Sequence, residues 1–102
     1  MKYFLSLGSN IEAEKNLDFA EKELNKMLTN IKSSSIYKTK AEGFEGDDFL
    51  NSVICGDSIE SFDDLNIKLK LIEDAAGRNR SAPKFSARTL DIDIVLQIDE
   101  DE

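Results

Sequence analysis

Asp91 and Asp93 flank a single apolar residue in the run Leu90-Asp91-Ile92-Asp93-Ile94. A period of two puts both carboxylates on one face of a strand and the three aliphatic side chains on the other. Carboxylates two residues apart on a strand lie roughly 6.5–7 Å apart, close enough to converge on magnesium, which takes oxygen ligands. Immediately upstream, Gly77-Arg78-Asn79-Arg80-Ser81-Ala82-Pro83-Lys84-Phe85-Ser86-Ala87-Arg88 holds every arginine of the chain and its only proline. Guanidinium forks bind phosphate in bidentate fashion, and elsewhere the chain uses lysine as its cation. An acid pair behind an arginine loop is a constellation suited to phosphoryl transfer. The competing reading is a half-buried strand whose acidic face is merely wet.

Composition narrows the field. The 102 residues are 40% hydrophobic and 33% charged, which suits one folded domain over residues 1–98 with a solvated acidic tail at 99–102. A net charge of −8 opposes nucleic-acid binding, yet a basic loop on an acidic body focuses a phosphate ligand to one place. Histidine is absent, so histidine bases and histidine metal sites are excluded. No apolar run is long enough for a membrane span, and Met1 to Asn10 reads as a strand and turn rather than a signal peptide. The single Cys55 excludes an intramolecular disulfide, fits a reducing cytoplasm, and is expected in the core.

The elements that must position the acid pair follow from periodicity. Lys2–Leu7 is a first strand closed by Gly8-Ser9-Asn10. From Glu14 to Asn30 apolar residues recur at helical spacing, with Leu17, Ala20, Leu24 and Ile31 on the inner face. Ser33–Thr39 reads as a second strand, 40–48 as a loop, and Phe49–Cys55 as a third strand closed by Gly56-Asp57. Ser61 is an N-cap with an acid three residues on. Phe62, Leu65, Leu69, Ile72 and Ala76 then keep helical spacing up to Gly77, which ends the helix. The order β-α-β-β-α-β predicts an α+β, ferredoxin-like fold, a four-stranded antiparallel sheet with two helices on one face.

Four pieces of the chain resemble the 6-hydroxymethyl-7,8-dihydropterin pyrophosphokinase family of folate biosynthesis. They are Leu7-Gly8-Ser9-Asn10; Ser34 to Thr39 followed by Phe49-Leu50-Asn51; Ile72-Glu73 with Gly77-Arg78-Asn79-Arg80; and Arg88-Thr89-Leu90-Asp91-Ile92-Asp93. The resemblance implies a transferase that moves pyrophosphate from ATP to the hydroxymethyl-dihydropterin. It implies two Mg2+ ions held by Asp91 and Asp93, with Arg78 and Arg88 sharing the catalytic role. ATP would meet Arg78, Arg80, Lys84, Phe85 and Arg88, where Phe85 stands in for a family tryptophan. The pterin would meet Thr39, Lys40, Glu42, Phe49 and Asn51, with Phe49 stacking where the family has tyrosine.

This sequence departs from the family pattern at Lys40, where a proline is expected, and at Ser86-Ala87, where the family has Gly-Pro. The family also continues with a segment carrying a histidine, an arginine and a second aromatic, so the resemblance is to a short form. The alternative to the enzyme is a reduced relative that binds nucleotide, pterin or a protein partner without turnover. Residues 80–87 are expected to be a lid ordered by phosphate, and the oligomeric state a monomer or weak homodimer.

Overall fold

The structure is a computed structural model that describes residues 1–40, 48–77 and 90–99. Its central strand is β1 (Lys2–Ser9), in which Tyr3, Leu5 and Leu7 are buried and Lys2, Phe4 and Ser6 are half-exposed. That alternation makes one face apolar and fixes the register, since a slip of one residue would turn Leu5 to water. β1 pairs antiparallel with β4 (Phe49–Asp57) on one side and with β5 (Asp91–Ile98) on the other. The outer edge of β4 pairs with β2 (Thr29–Ser33) and β3 (Tyr37–Thr39), giving a five-stranded antiparallel sheet.

Two helices among the described residues pack on this sheet. α1 (Ala13–Met27) buries Leu17, Ala20 and Leu24, at the three-and-four spacing of one helix face. α2 (Phe62–Ala75) buries Leu65, Leu69 and Ile72. These side chains join Tyr3, Leu5, Leu7, Ile54, Leu90 and Ile92 in one apolar cluster, so both helices cover the same face of the sheet. Ser61 caps α2, its hydroxyl accepting from the Asp64 N–H at 3.2 Å, and Gly77 follows the helix at φ 91°, a conformation that suits glycine. None of the helices among the described residues is long and apolar enough to cross a membrane.

Four sequence expectations need correction. Among the described residues the sheet has five strands, not four, because the expected single strand Ser33–Thr39 is two strands separated at 34–36. The serine run explains the break: the Ser34 hydroxyl accepts from the Val53 N–H at 2.9 Å, taking over a bond that a backbone carbonyl would otherwise accept. Next, α1 stops at Met27 instead of running to Asn30. Leu28 is extended and Asn30 is left-handed at φ 53°, so Ile31 reaches the core from β2 rather than from the helix.

The third correction concerns strand ends. Gly8 and Ser9 continue β1, and Gly56 and Asp57 continue β4 past Cys55. A β-carbon on Gly56 would sit 3.1 Å from both Ile31 Cγ1 and Leu28 Cβ, so that glycine is a close-packing position and not a stop. Finally, Cys55 is only half-buried, on the face opposite Ile54.

Tyr3 gives the fold a pH dependence. Its hydroxyl donates to the Glu60 carbonyl at 2.6 Å, and the side chain is fully buried. Burial, and then the nearby Glu60 carboxylate, raise the phenol above its ordinary value of 10.0. The folded state therefore holds its proton after the unfolded chain has released it, and stability falls as pH rises from about 10 through the raised value. Tyr3→Phe should cost about 1 kcal/mol near neutrality, through the lost hydrogen bond, and should flatten the alkaline fall. Thermal melts of both proteins between roughly pH 9 and 11 check this, and parallel alkaline slopes would exclude Tyr3 as the cause.

Candidate functional site

The residues that could do chemistry meet on the sheet face turned away from the helices. In the β1–β5 register Gly8 is opposite Asp91 and Ser6 is opposite Asp93. In the β1–β4 register Gly8 is opposite Asn51, and across β4 Asn51 and Phe49 are opposite Tyr37 and Thr39. Residues opposite each other across a ladder share a face. Asp91, Asp93, Gly8, Asn51, Phe49 and Thr39 therefore lie on one surface, across four neighbouring strands. Asp91 is half-buried and Asp93 exposed, while Leu90 and Ile92 beside them are fully buried on the other face.

Gly8 is what lets the two halves of this surface approach. A β-carbon there would lie 3.1 Å from Asn51 Oδ1 and 4.0 Å from Phe49 Cδ1. The amide oxygen of Asn51 thus rests over the bare backbone of Gly8, beside the Phe49 ring. Its nitrogen donates to Thr39 Oγ1 at 2.9 Å, which orients the amide. An oriented amide beside an aromatic ring has the chemistry to meet a flat heterocycle, one group at its edge and the other on its face. Two strand spacings away, roughly 10 Å, is the acid pair.

The turn leading out of this face is tied down as well. Ser9 Oγ and Asn16 Nδ2 both donate to the Ile11 carbonyl, at 3.1 and 2.6 Å, and Ser9, Asn10 and Asn16 are buried. Glu12, at φ 43°, carries the left-handed residue that starts α1. An open cavity of about 680 Å³ near this turn is lined by Asn10, Glu14, Lys38 and Leu50. Leu50 and Lys38 pair with each other in the β3–β4 ladder, one residue out of step with Asn51, so this cavity opens on the helix side and is not the aspartate face.

No cluster of three or more carboxylate, cysteine or histidine ligands occurs among the described residues. Two aspartates on one face are nevertheless a donor set that magnesium accepts, since it binds through one or two carboxylates and completes its shell with phosphate oxygens and water. Lys40 is exposed at the end of β3. Glu42, Arg78, Arg80, Lys84, Phe85 and Arg88, and with them the expected lid, lie outside the described residues.

Sequence reasoning gave no role to two residues. Gly8 read as a turn, and its use, an absent side chain beneath Asn51, has no signature in one sequence. Glu73 is fully buried and accepts from the Ile92 N–H at 2.8 Å. Its signal was present, because position 73 is four residues after Leu69 and so falls on the inward stripe of α2.

Fold and face together define an α+β protein with an acid pair and a polar and aromatic patch on one side of its sheet. The family model for 7,8-dihydro-6-hydroxymethylpterin-pyrophosphokinase matches residues 4–98, and the chain belongs to that family. It is 35% identical over 99 residues to the 2-amino-4-hydroxy-6-hydroxymethyldihydropteridine pyrophosphokinase of Aquifex aeolicus, covering 95% of this chain and 61% of that protein. It is 36% identical over 104 residues to the folate synthesis bifunctional protein of Chlamydia trachomatis, covering 94% of this chain and 23% of that one. The chain thus spans less than two thirds of either relative. A solved GlnK–ATP complex from B. subtilis shares 14% identity at a TM-score of 0.42, over 92% of this chain and 84% of that one, a likeness too slight to carry weight.

Proposed function

We propose that this chain transfers pyrophosphate from Mg-ATP to 6-hydroxymethyl-7,8-dihydropterin, a step of folate biosynthesis. The observation that carries the reading is the shared face, with Asp91 and Asp93 at one end and Asn51, Phe49 and Thr39 at the other, across Gly8. The strand order β2-β4-β1-β5 with two helices supports a ferredoxin-like frame whose edge strand is broken in two, forming one domain over residues 1–98.

Asn51 and Thr39 would read the pterin edge and Phe49 would stack on its ring, with Lys40 and Glu42 completing that side. Asp91 and Asp93 would hold two magnesium ions, which neutralise charge on the ATP phosphates when bound. Arg78, Arg80, Lys84 and Arg88 would grip the phosphates, and Phe85 would lie against the nucleotide. The hydroxymethyl oxygen attacks the β-phosphorus, its bond to the α-bridging oxygen breaks, AMP leaves, and the hydroxyl proton passes to solvent. Such a reaction needs alignment and charge neutralisation more than covalent help from side chains, which suits a chain without histidine. The net charge of −8 supports small-molecule partners over nucleic acid, and the proposal places the chain in the cytoplasm as a monomer or weak homodimer.

An assay for AMP release from Mg-ATP, with and without the hydroxymethyl-dihydropterin, tests the proposal. Pterin-dependent release supports it. Binding of both substrates with no AMP would favour a binding protein instead, and binding of neither would remove the reading.

Gly8→Ala probes the pterin half alone. A methyl 3.1 Å from Asn51 Oδ1 forces the amide to shift by a few tenths of an ångström. Losing one well-aligned hydrogen bond should weaken pterin binding by roughly five- to tenfold, with Mg-ATP affinity unchanged. Calorimetric titration with each ligand distinguishes the two effects, and an unaltered pterin affinity would show that Asn51 does not read the ring.

A further inference from the structure

Glu73 is a carboxylate in an unfavourable place. It lies in the last turn of α2, where the negative end of the helix dipole opposes an anion, and it is fully buried. An aliphatic side chain would suit that stripe of Leu65, Leu69 and Ile72 without needing polar partners. Two contacts among the described residues offset that cost. Lys70 Nζ lies 3.7 Å from Glu73 Oε1, and the Ile92 N–H donates to Oε2 at 2.8 Å.

The second contact links the helix to the acid pair. Among the described residues β5 pairs with β1 alone, and every second N–H along it turns away from β1. Ile92 carries one of these outward N–H groups, and Ile92 is the residue between Asp91 and Asp93. A register irregularity opposite Phe4 and Leu5 separates the stretch Asp91–Ile94 from the rest of β5, so the ladder alone holds only a short segment here.

We propose that Glu73 is a positioning residue for the metal-binding pair. Its carboxylate pins the outward Ile92 amide and keeps Asp91 and Asp93 in the pleat that aims both at one face. The inference rests on the acid pair holding Mg-ATP, and its test separates the two ideas. Glu73→Met keeps the length and removes the acceptor, whereas Glu73→Gln keeps an acceptor oxygen.

In the methionine variant, amide exchange at Ile92 followed by NMR should quicken by roughly 10- to 100-fold relative to core amides such as Leu5. Its dissociation constant for Mg-ATP should rise about tenfold or more, and the glutamine variant should recover most of both. Parent-like exchange at Ile92 in the methionine variant would overturn the tether. So would parent-like Mg-ATP affinity in that variant while Asp93→Asn loses it. If Asp93→Asn also keeps its affinity, the metal reading fails, and exchange at Ile92 alone decides the tether. Should the methionine variant not fold, the glutamine variant decides: folded, with Ile92 protected and affinity near the parent's, it supports the tether. Folded with affinity down tenfold, it overturns it.

Discussion

Replacing Asp91 and Asp93 together with asparagine is expected to abolish magnesium-dependent nucleotide binding, by at least about 100-fold, in a protein that remains folded. Each carboxylate would contribute a charge-assisted ligand contact worth about 1.5–3 kcal/mol, so losing the pair exceeds a hundredfold in affinity. The fold should tolerate the change. Asp93 is exposed, and Asp91 half-buried, on a face that packs against neither helix. Two like charges roughly 6.5–7 Å apart in water repel by about 0.6 kcal/mol, which the substitution relieves. Titration with Mg-ATP, paired with a thermal melt, reads both effects. Parent-like binding by the double variant would leave the strand face as nothing more than solvated acid.

The second large effect is on stability. Leu5 is fully buried at the middle of the central strand, opposite Ile54 on β4 and Ile94 on β5. Cutting it to alanine removes apolar burial and leaves a void that rigid neighbours on two strands cannot close. The expected cost is about 3 kcal/mol, a large fraction of the roughly 5–15 kcal/mol that holds a domain together. For a chain of this size the melting midpoint should fall by roughly 15 °C. Val95→Ala, at a side chain 59% exposed, is the control and should stay within about 0.5 kcal/mol of the parent. A loss below about 1 kcal/mol for Leu5→Ala would mean that the core repacks around the gap.

Much of this arrangement was legible in the sequence because it rests on simple periods. Leu90, Ile92 and Ile94 alternate with Asp91 and Asp93, and the strand follows that alternation. The interior of α2 follows its spacing, and Ser61 caps it. What escaped depended on contacts between segments distant in sequence. Ile31 is at helical spacing from Leu24 and Leu28, yet the chain turns at Asn30, because Ile31 packs as well from a strand. The break between β2 and β3 depends on a serine hydroxyl meeting a backbone amide nineteen residues away. The use of Gly8 depends on Asn51, forty-three residues further along the chain, and no local pattern carries that information. For the site, the motif residues were readable and the surface they share was not, since it is created by the antiparallel register.

That register has a consequence for which molecules could be handled. The Asn51 amide and the acid pair are separated by Gly8 and by whole strand spacings, so the backbone, not the side chains, sets the span between them. Strand spacing is fixed near 4.8 Å by hydrogen-bond length and cannot be adjusted in small steps. The sheet therefore works as a ruler with coarse graduations. A molecule lengthened by one methylene between its ring and its hydroxyl would overshoot by roughly a bond length, which no strand can shift to absorb. Discrimination by length would then survive most changes to the side chains around it.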